Sequence, residues 1–420
     1  MKIAFIVNAF PILSETFVLN QITGLLDRGH DVDIYAVHSQ KQPVIHADVE
    51  KYHLLDRTYY RGTLNKRMPQ NIVRRFIKAI GLVVRNFHRK PVAFLRALNI
   101  FKFGKQAALL RILYKVIPFL EKDIPDYDIV HCHFGPNGNL GALLKDIGVI
   151  KGKVLTTIHG GYDMPKYIIR RGDDAYDYLF ETGDLLLPIS NRWKEELIRL
   201  GCEEQKIVVH RMGIDTSRFL FSPRRPRGDG KVRLLTVARL VEKKGVEYGV
   251  RAVAEVLKKY PQVEYEIAGD GPLMNDIKSL IEKLNIGDRI KLLGWQRQED
   301  IVELMKEADI LLAPSVCSKD GDWEGIPVVL MEALAQGLPV LSTQHSGIPE
   351  LVQDGQSGFL VPERDVDALA EKLTYLIEHP EIWPEMGWSG RDYVERHYDI
   401  NKLNDQLVRL YQQLLEGELP

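Results

Sequence analysis

Apolar residues along this chain fall into two successive series of short runs, each with the form of a parallel sheet. In the first series Ile3 to Val7, Val32 to Val37, Ile129 to His133, Val154 to Ile158, Leu185 to Ile189 and Ile207 to His210 read as strands. Near-continuous apolar runs bounded by polar turns suit strands covered on both faces. Glu15 to Arg28 has helical period and turns at Gly29-His30 into the second strand, a β-α-β opening. Ser222 to Gly230, rich in Pro, Gly and charge, reads as a linker. The series then restarts with Val232 to Val237, Val263 to Ala268, Ile290 to Leu293, Ile310 to Ala313, Pro339 to Ser342 and Gly358 to Val361. The expected class is α/β, two doubly wound halves facing each other across a cleft, with domains over 1–214 and 231–385 and a linker over 215–230.

One stretch interrupts this alternation. From about Asn65 to Lys115 the period is helical, and at roughly 100° per residue Ile72, Val73, Phe76, Ile77, Ile80, Val83, Val84 and Phe87 share an arc of about 140°. Arg74, Arg75, Lys78, Arg85 and Arg89 lie opposite. Charge sharpens the picture: between Arg57 and Lys115 there are 15 Lys or Arg and no Asp or Glu, in a chain that carries 56 basic and 57 acidic residues overall. The insertion at about 60–115 is therefore a basic island on an otherwise acidic protein. Two readings stay open. The apolar arc packs on the domain and the basic face is merely solvated, or the basic face meets an anionic membrane surface, at about 1 kcal/mol per basic group.

The remaining composition is that of an ordinary soluble protein of 420 residues, 45% apolar and 27% charged, with no nucleic-acid partner indicated. Cys132, Cys202 and Cys317 have neither disulfide nor zinc spacing, which fits a reducing cytoplasm. The apolar start Lys2 to Phe10 is too short to span a bilayer and reads as the first strand. If the protein meets membrane, it does so peripherally, at the inner face of the cytoplasmic membrane.

Candidate chemistry gathers where strands end. Glu324-Gly325-Ile326-Pro327 follows the strand Ile310 to Ala313 and opens a helix that carries Glu332, with Pro327 expected at the first helical position and Gly337 as the stop. The free amides of such a first turn form an anion site, so Glu324 and Glu332 are expected to hold different ends of one elongated ligand with phosphate between them. Arg239 and Lys244, after the first strand of the second half, supply cations for a diphosphate. Gly269-Asp270-Gly271-Pro272 is a further tight turn at a strand end. In the first half, the loop Asn8 to Thr16 and Thr157-Ile158-His159-Gly160-Gly161-Tyr162-Asp163 face the same cleft. His131 and His133 share a strand face while Cys132 points away, so no metal site is expected there.

This ordered set resembles the retaining family 4 glycosyltransferases of the GT-B fold, particularly the bacterial exopolysaccharide and colanic-acid type. It rests on Ser14-Glu15-Thr16-Phe17, Thr157 to Asp163, Arg239 with Lys244, Gly269 to Pro272, Pro314-Ser315, the Glu324/Glu332 pair and Gly347-Ile348-Pro349-Glu350. The resemblance implies two Rossmann-like domains, with residues 386–420 forming a C-terminal helix that crosses back onto the first domain. It implies a nucleotide-diphospho-sugar donor, UDP- or GDP-linked, and a lipid-linked or polysaccharide acceptor, with no further cofactor and no metal. By the same resemblance Arg239 and Lys244 bind the diphosphate, Glu332 the ribose and Glu324 the transferred sugar, which His159 reaches from the first domain. Gly271, Gly325, Ile326, Ser14 and Thr16 line the donor, and Glu15, His133 and Asp163 serve the acceptor. Many relatives carry a glycine pair in the first loop; this chain has Pro11-Ile12-Leu13-Ser14 there. Asp31-Val32-Asp33 and Asp365-Val366-Asp367 match the metal motif of another transferase fold, but the first falls in a strand and the second opens a helix. The competing readings are a non-catalytic nucleotide-sugar scaffold, a transferase of small-molecule acceptors, and a phosphorylase, for which no cofactor-lysine motif is evident.

Overall fold

A computed structural model describes residues 1–12, 15–39, 46–121, 124–161 and 163–419, with backbone alone at 65 and 66. Ser14 lies outside the described residues.

Each half builds one six-stranded sheet in which every pairing is parallel. The first sheet has the order β3-β2-β1-β4-β5-β6, from β1 (Lys2–Ala9), β2 (Asp31–His38), β3 (Thr58–Tyr60), β4 (Ile129–His133), β5 (Lys153–Ile158) and β6 (Leu185–Pro188). The second, β12-β11-β10-β7-β8-β9, comprises β7 (Val232–Val237), β8 (Val263–Ala268), β9 (Ile290–Gly294), β10 (Ile310–Ala313), β11 (Val340–Thr343) and β12 (Gly358–Val361). In both sheets the strand order reverses beside the first strand of the half, β1 or β7. The carboxyl-end loops part at such a switch point and leave a crevice. Helices cover both faces, so Ile3, Phe5, Ile6, Leu311 and Leu341 are fully buried.

Several expectations need correction. The short edge strand β3 was not foreseen. Ile207 to His210 is no strand: it runs beside β6 with one bridge, Leu186 to Ile207, plus the Val208 and His210 amides donating to Leu186 and Pro188 carbonyls. The segment Ser222 to Gly230 is laid onto the second half, where buried Arg224 donates to the carbonyls of Ala308 (2.7 Å) and Met305 (2.6 Å). The return to the first half begins later than Trp388, which packs on Phe221. It is made by the helix Ile400–Glu416, which lies on Thr16–Asp27 with Leu407, Tyr411 and Leu414 buried. Arg28 pairs with Asp405 at 2.7 Å across that contact.

The basic island is helical as expected, but in pieces: Leu64–Arg67, Ile72–Asn86, Pro91–Ala97, Ile100–Ala108 and Arg111–Leu120. Arg111–Leu120 is the buried member, with seven of its ten residues inside. Ile72–Asn86 packs on it through Arg75, Ala79 and Asn86, so most of the apolar arc does not face the domain.

Candidate functional site

The helix Val328–Ala335 begins where β10 and its loop deliver the chain into the crevice. Pro327 is its N-cap (φ −64°, ψ 124°), one position earlier than expected. Among the described residues the amides of Gly325, Ile326, Val328 and Val329 donate no hydrogen bond within the protein. Together with the positive helix end they leave an open anion site.

Glu324 stands at its mouth, 7% exposed, and is held from three sides. Its amide donates to His345 Nε2 (3.0 Å), which puts that ring's proton on Nδ1, facing Glu363 Oε1 at 2.6 Å. Its carbonyl accepts from Ser346 Oγ at 2.7 Å. Its carboxylate meets Lys244 Nζ at 3.0 Å and Lys243 Nζ at 3.6 Å. Burial alone would raise this carboxyl, but the two ammonium groups outweigh it and hold Glu324 below its ordinary range. Both lysines sit on a tight turn, Glu242–Lys244, ended by Gly245 at φ +60°. A Cβ there would lie 1.9 Å from the Pro314 carbonyl oxygen, so only glycine lets this turn press against the β10 loop.

Glu332 projects from the same helix, half-buried, with Gln298 Nε2 donating to Oε1 at 2.9 Å. Burial pushes its carboxyl up to about 7 against the lowering effect of Gln298. Trp295, 59% exposed, and Gln296 line the cleft with Gln298. Arg239 also lines it, exposed, and its guanidinium makes no hydrogen bond or ion pair among the described residues.

From the first half come Glu15, Thr16, Phe17, Phe134, His159 and Met212. The two halves touch here: a Cβ on Gly325 would come within 2.5 Å of the His159 carbonyl oxygen. Lys166 reaches across to Asp320 at 2.6 Å, and Lys243 meets Asp322 at 3.1 Å. The cleft between the halves measures about 500 Å³, within the range of nucleotide-sized ligand sites.

Three predicted site residues sit elsewhere. His133 is fully buried behind His159, its Nδ1 3.0 Å from His159 Nε2 and its ring stacked at 5.2 Å, so it reaches the cleft only through His159. Asp163 is also fully buried; its Oδ2 accepts from the amides of His159 (3.1 Å) and Gly135 (3.3 Å) and fixes the loop rather than facing a ligand. Burial pushes that carboxyl up to about 7 in spite of these amides. Gly271 packs against the Leu240 backbone, where a Cβ would meet the carbonyl oxygen at 2.5 Å, and Gly269 and Asp270 line the cleft instead. His159 does line it, but both ring nitrogens are engaged, by His133 and by Met212 Sδ at 3.0 Å. Burial, then the nearby His131, lowers its pKa to about 3, so the ring is neutral. Glu15 is pushed up to about 7 by burial.

Sequence reasoning missed Lys243, His345, Glu363, Trp295 and Gln298. Lys243 had a signal, standing beside Lys244. The His345–Glu363 support had none, because only the fold brings the loops after β11 and β12 under Glu324. Among the described residues no group of three or more His, Cys, Asp or Glu is arranged to hold a metal ion.

Comparison with known proteins agrees with this fold. Residues 14–218 match the family described as Glycosyltransferase Family 4, and residues 218–391 match Glycosyl transferases group 1. WcaL of Escherichia coli, named for colanic acid biosynthesis, is 37% identical over 417 residues, covering 99% of this chain and 100% of that one. The amylovoran biosynthesis glycosyltransferase AmsK of Erwinia amylovora is 36% identical over 414 residues, covering 99% and 100%. The crystal structure of Anabaena HepE in complex with UDP superposes with a TM-score of 0.73 at 18% identity, covering 98% of this chain and 100% of that chain. Full-length identity of this order, on paired parallel sheets with a cation-lined cleft between them, makes this chain a family 4 glycosyltransferase with the GT-B fold.

Proposed function

We propose that this chain is a retaining transferase that moves a sugar from a nucleotide-diphospho-sugar, UDP- or GDP-linked, to a lipid-linked or polysaccharide acceptor in exopolysaccharide assembly. The observation that carries the reading is the juxtaposition of buried Glu324, Lys244 3.0 Å from it, and the four free amides at the head of the next helix. A diphosphate at those amides lies between Glu332 on one side and Glu324 on the other. Lys244 then exchanges Glu324 for phosphate, with Arg239 as the second cation, and the freed carboxylate accepts hydrogen bonds from sugar hydroxyls. Glu324 Oε1, buried and without a hydrogen bond among the described residues, is already available for this. Glu332 takes the ribose hydroxyls. The names of WcaL and AmsK support the exopolysaccharide context, and the UDP in the HepE complex supports the donor class.

In the reaction the bond from anomeric carbon to phosphate oxygen breaks as the acceptor oxygen attacks the same face. The departing phosphate takes the acceptor's proton, and its charge is met by fixed donors that need no reorganisation. His159, neutral and flanked by His133 and Met212, is no general base; to reach the sugar its ring exchanges Met212 for a hydroxyl. Acceptor binding falls to the first half, around Glu15 and Thr16. The test is nucleoside diphosphate release with purified full-length protein, a panel of sugar donors and lipid-linked acceptor, in EDTA. Transfer with retained configuration, lost in Glu324→Ala, supports the reading. Donor binding without transfer or hydrolysis would mark a scaffold, and turnover on small acceptors alone would move the protein out of polymer assembly.

A further inference from the structure

The helix Ile72–Asn86 meets the protein along a narrow seam. Arg75, 8% exposed, anchors that seam by donating to the carbonyls of Pro69 (3.0 Å), Gln70 (3.2 Å) and Leu109 (3.2 Å). Next around the helix, Val73, Ile77, Ile80 and Val84 are between 62% and 75% exposed. Beyond them on the helical wheel come Arg74, Lys78 and Arg85, also exposed. The exposed apolar surface continues along the chain to Leu95 and to Phe101, which is 97% exposed. Of the 20 large apolar side chains exposed among the described residues, 11 fall between Ile72 and Phe101. Single exposed apolar residues are ordinary, but this concentration marks a surface that something covers.

Charge says what covers it. From Arg57 to Lys115 the chain has 15 Lys or Arg and no acid, so the charge this segment itself places beside the apolar arc is positive; acids from outside it pair with Lys102 (Asp146) and Arg67 (Glu121), away from Arg74 and Arg85. A bilayer with anionic headgroups offers the complement in one plane, an apolar interior beneath a negative surface. No helix among the described residues is long and apolar enough to cross a membrane, whereas 15 residues give about 22 Å of helix to lie within the interface. The patch also belongs to the first half. Its helices rest on Arg111–Leu120, the buried helix of the island.

We propose that residues 72–101 form a monotopic docking surface that seats the first half of the protein on an anionic bilayer, apolar arc inserted and basic edge at the headgroups. The inference stands apart from the donor chemistry.

The experiment is co-sedimentation of full-length protein with vesicles of phosphatidylglycerol and phosphatidylcholine in equal parts, against phosphatidylcholine alone, at low and high salt. The wild type should pellet with the anionic vesicles and be partly released by salt. Ile77→Glu with Val84→Glu should lower the partition coefficient at least about tenfold per residue, because each loses an inserted aliphatic side chain. Arg74→Glu with Arg85→Glu should lower it at least about fivefold per charge, with an effect that fades in salt. All four positions are exposed, so circular dichroism and transfer to a detergent-dispersed acceptor should match the wild type. Equal binding to neutral vesicles, no vesicle binding at low salt, or binding unchanged by the glutamate pair would each overturn the proposal. So would an ultracentrifugation result in which the glutamate pair turns a stable dimer into monomer, which would make a second copy the occupant.

Discussion

Replacing Lys244 by methionine tests whether Glu324 is a buried charge kept ionised by its neighbours. The two groups are 3.0 Å apart with side chains 17% and 8% exposed. Unit charges at that distance interact by about 5 kcal/mol at an effective dielectric of about 20. Lys243, 3.6 Å away, stays and retains part of that field, so the expected loss is about 3 kcal/mol, the low end for breaking a buried pair. For a folding unit of about 200 residues this is a fall in Tm of roughly 6–12 °C. The pH dependence has a definite sign. In the wild type the Glu324 pKa lies below its ordinary 4.5, so the pair contributes stability above about pH 4.5 that disappears as pH falls through the lowered value. In Lys244→Met the carboxyl rises and sheds its cost by taking a proton, so the gap between the two proteins narrows from about pH 7 to about pH 5. Thermal unfolding followed by circular dichroism at both pH values, with Glu324→Gln and the double variant completing a cycle, measures the coupling. It should reach about 2 kcal/mol, with the double variant more stable than Lys244→Met and still inactive. An additive cycle, or a Lys244→Met melting curve that superposes on the wild type at neutral pH, would refute the reasoning.

Glu332, with its carboxyl at about 7, should bind donor ribose better once ionised, so the donor KM should fall as pH rises through about 7 and Glu332→Gln should flatten that profile. Because its raised pKa makes ionisation oppose folding at alkaline pH, the glutamine variant should melt no lower than wild type at about pH 8. Gly325→Ala puts a Cβ 2.5 Å from the His159 carbonyl oxygen, backbone against backbone; prying the halves apart by even about 1 Å should cost about a hundredfold in kcat/KM, read in the transfer assay. Tyr411→Phe removes the hydroxyl 2.6 Å from buried His131 Nδ1 and should cost about 1–3 kcal/mol by thermal unfolding, which measures how firmly the C-terminal helix holds the first half.

What the sequence determined by itself was the local and the patterned: eleven of the twelve strands among the described residues, both parallel sheets, the glutamate helix and the cationic turn, since apolar runs and turn residues report burial and chain reversal within a few positions. It missed β3 because Thr-Tyr-Tyr is an edge strand too short to show a period. Which groups meet was decided only by the tertiary structure. The Lys244–Glu324 pair joins positions 80 apart. His345 and Glu363 come under Glu324 only because β11 and β12 lie beside β10. His133 and Asp163, polar and near a strand end, looked like ligands from the chain, yet packing turns both inward to support His159. The helix Ile72–Asn86 carries the same lesson in reverse. Its amphipathic arc was plain in the sequence, but an arc has no address until a neighbour takes one side, and the seam through Arg75, Ala79 and Asn86 left the apolar face outside.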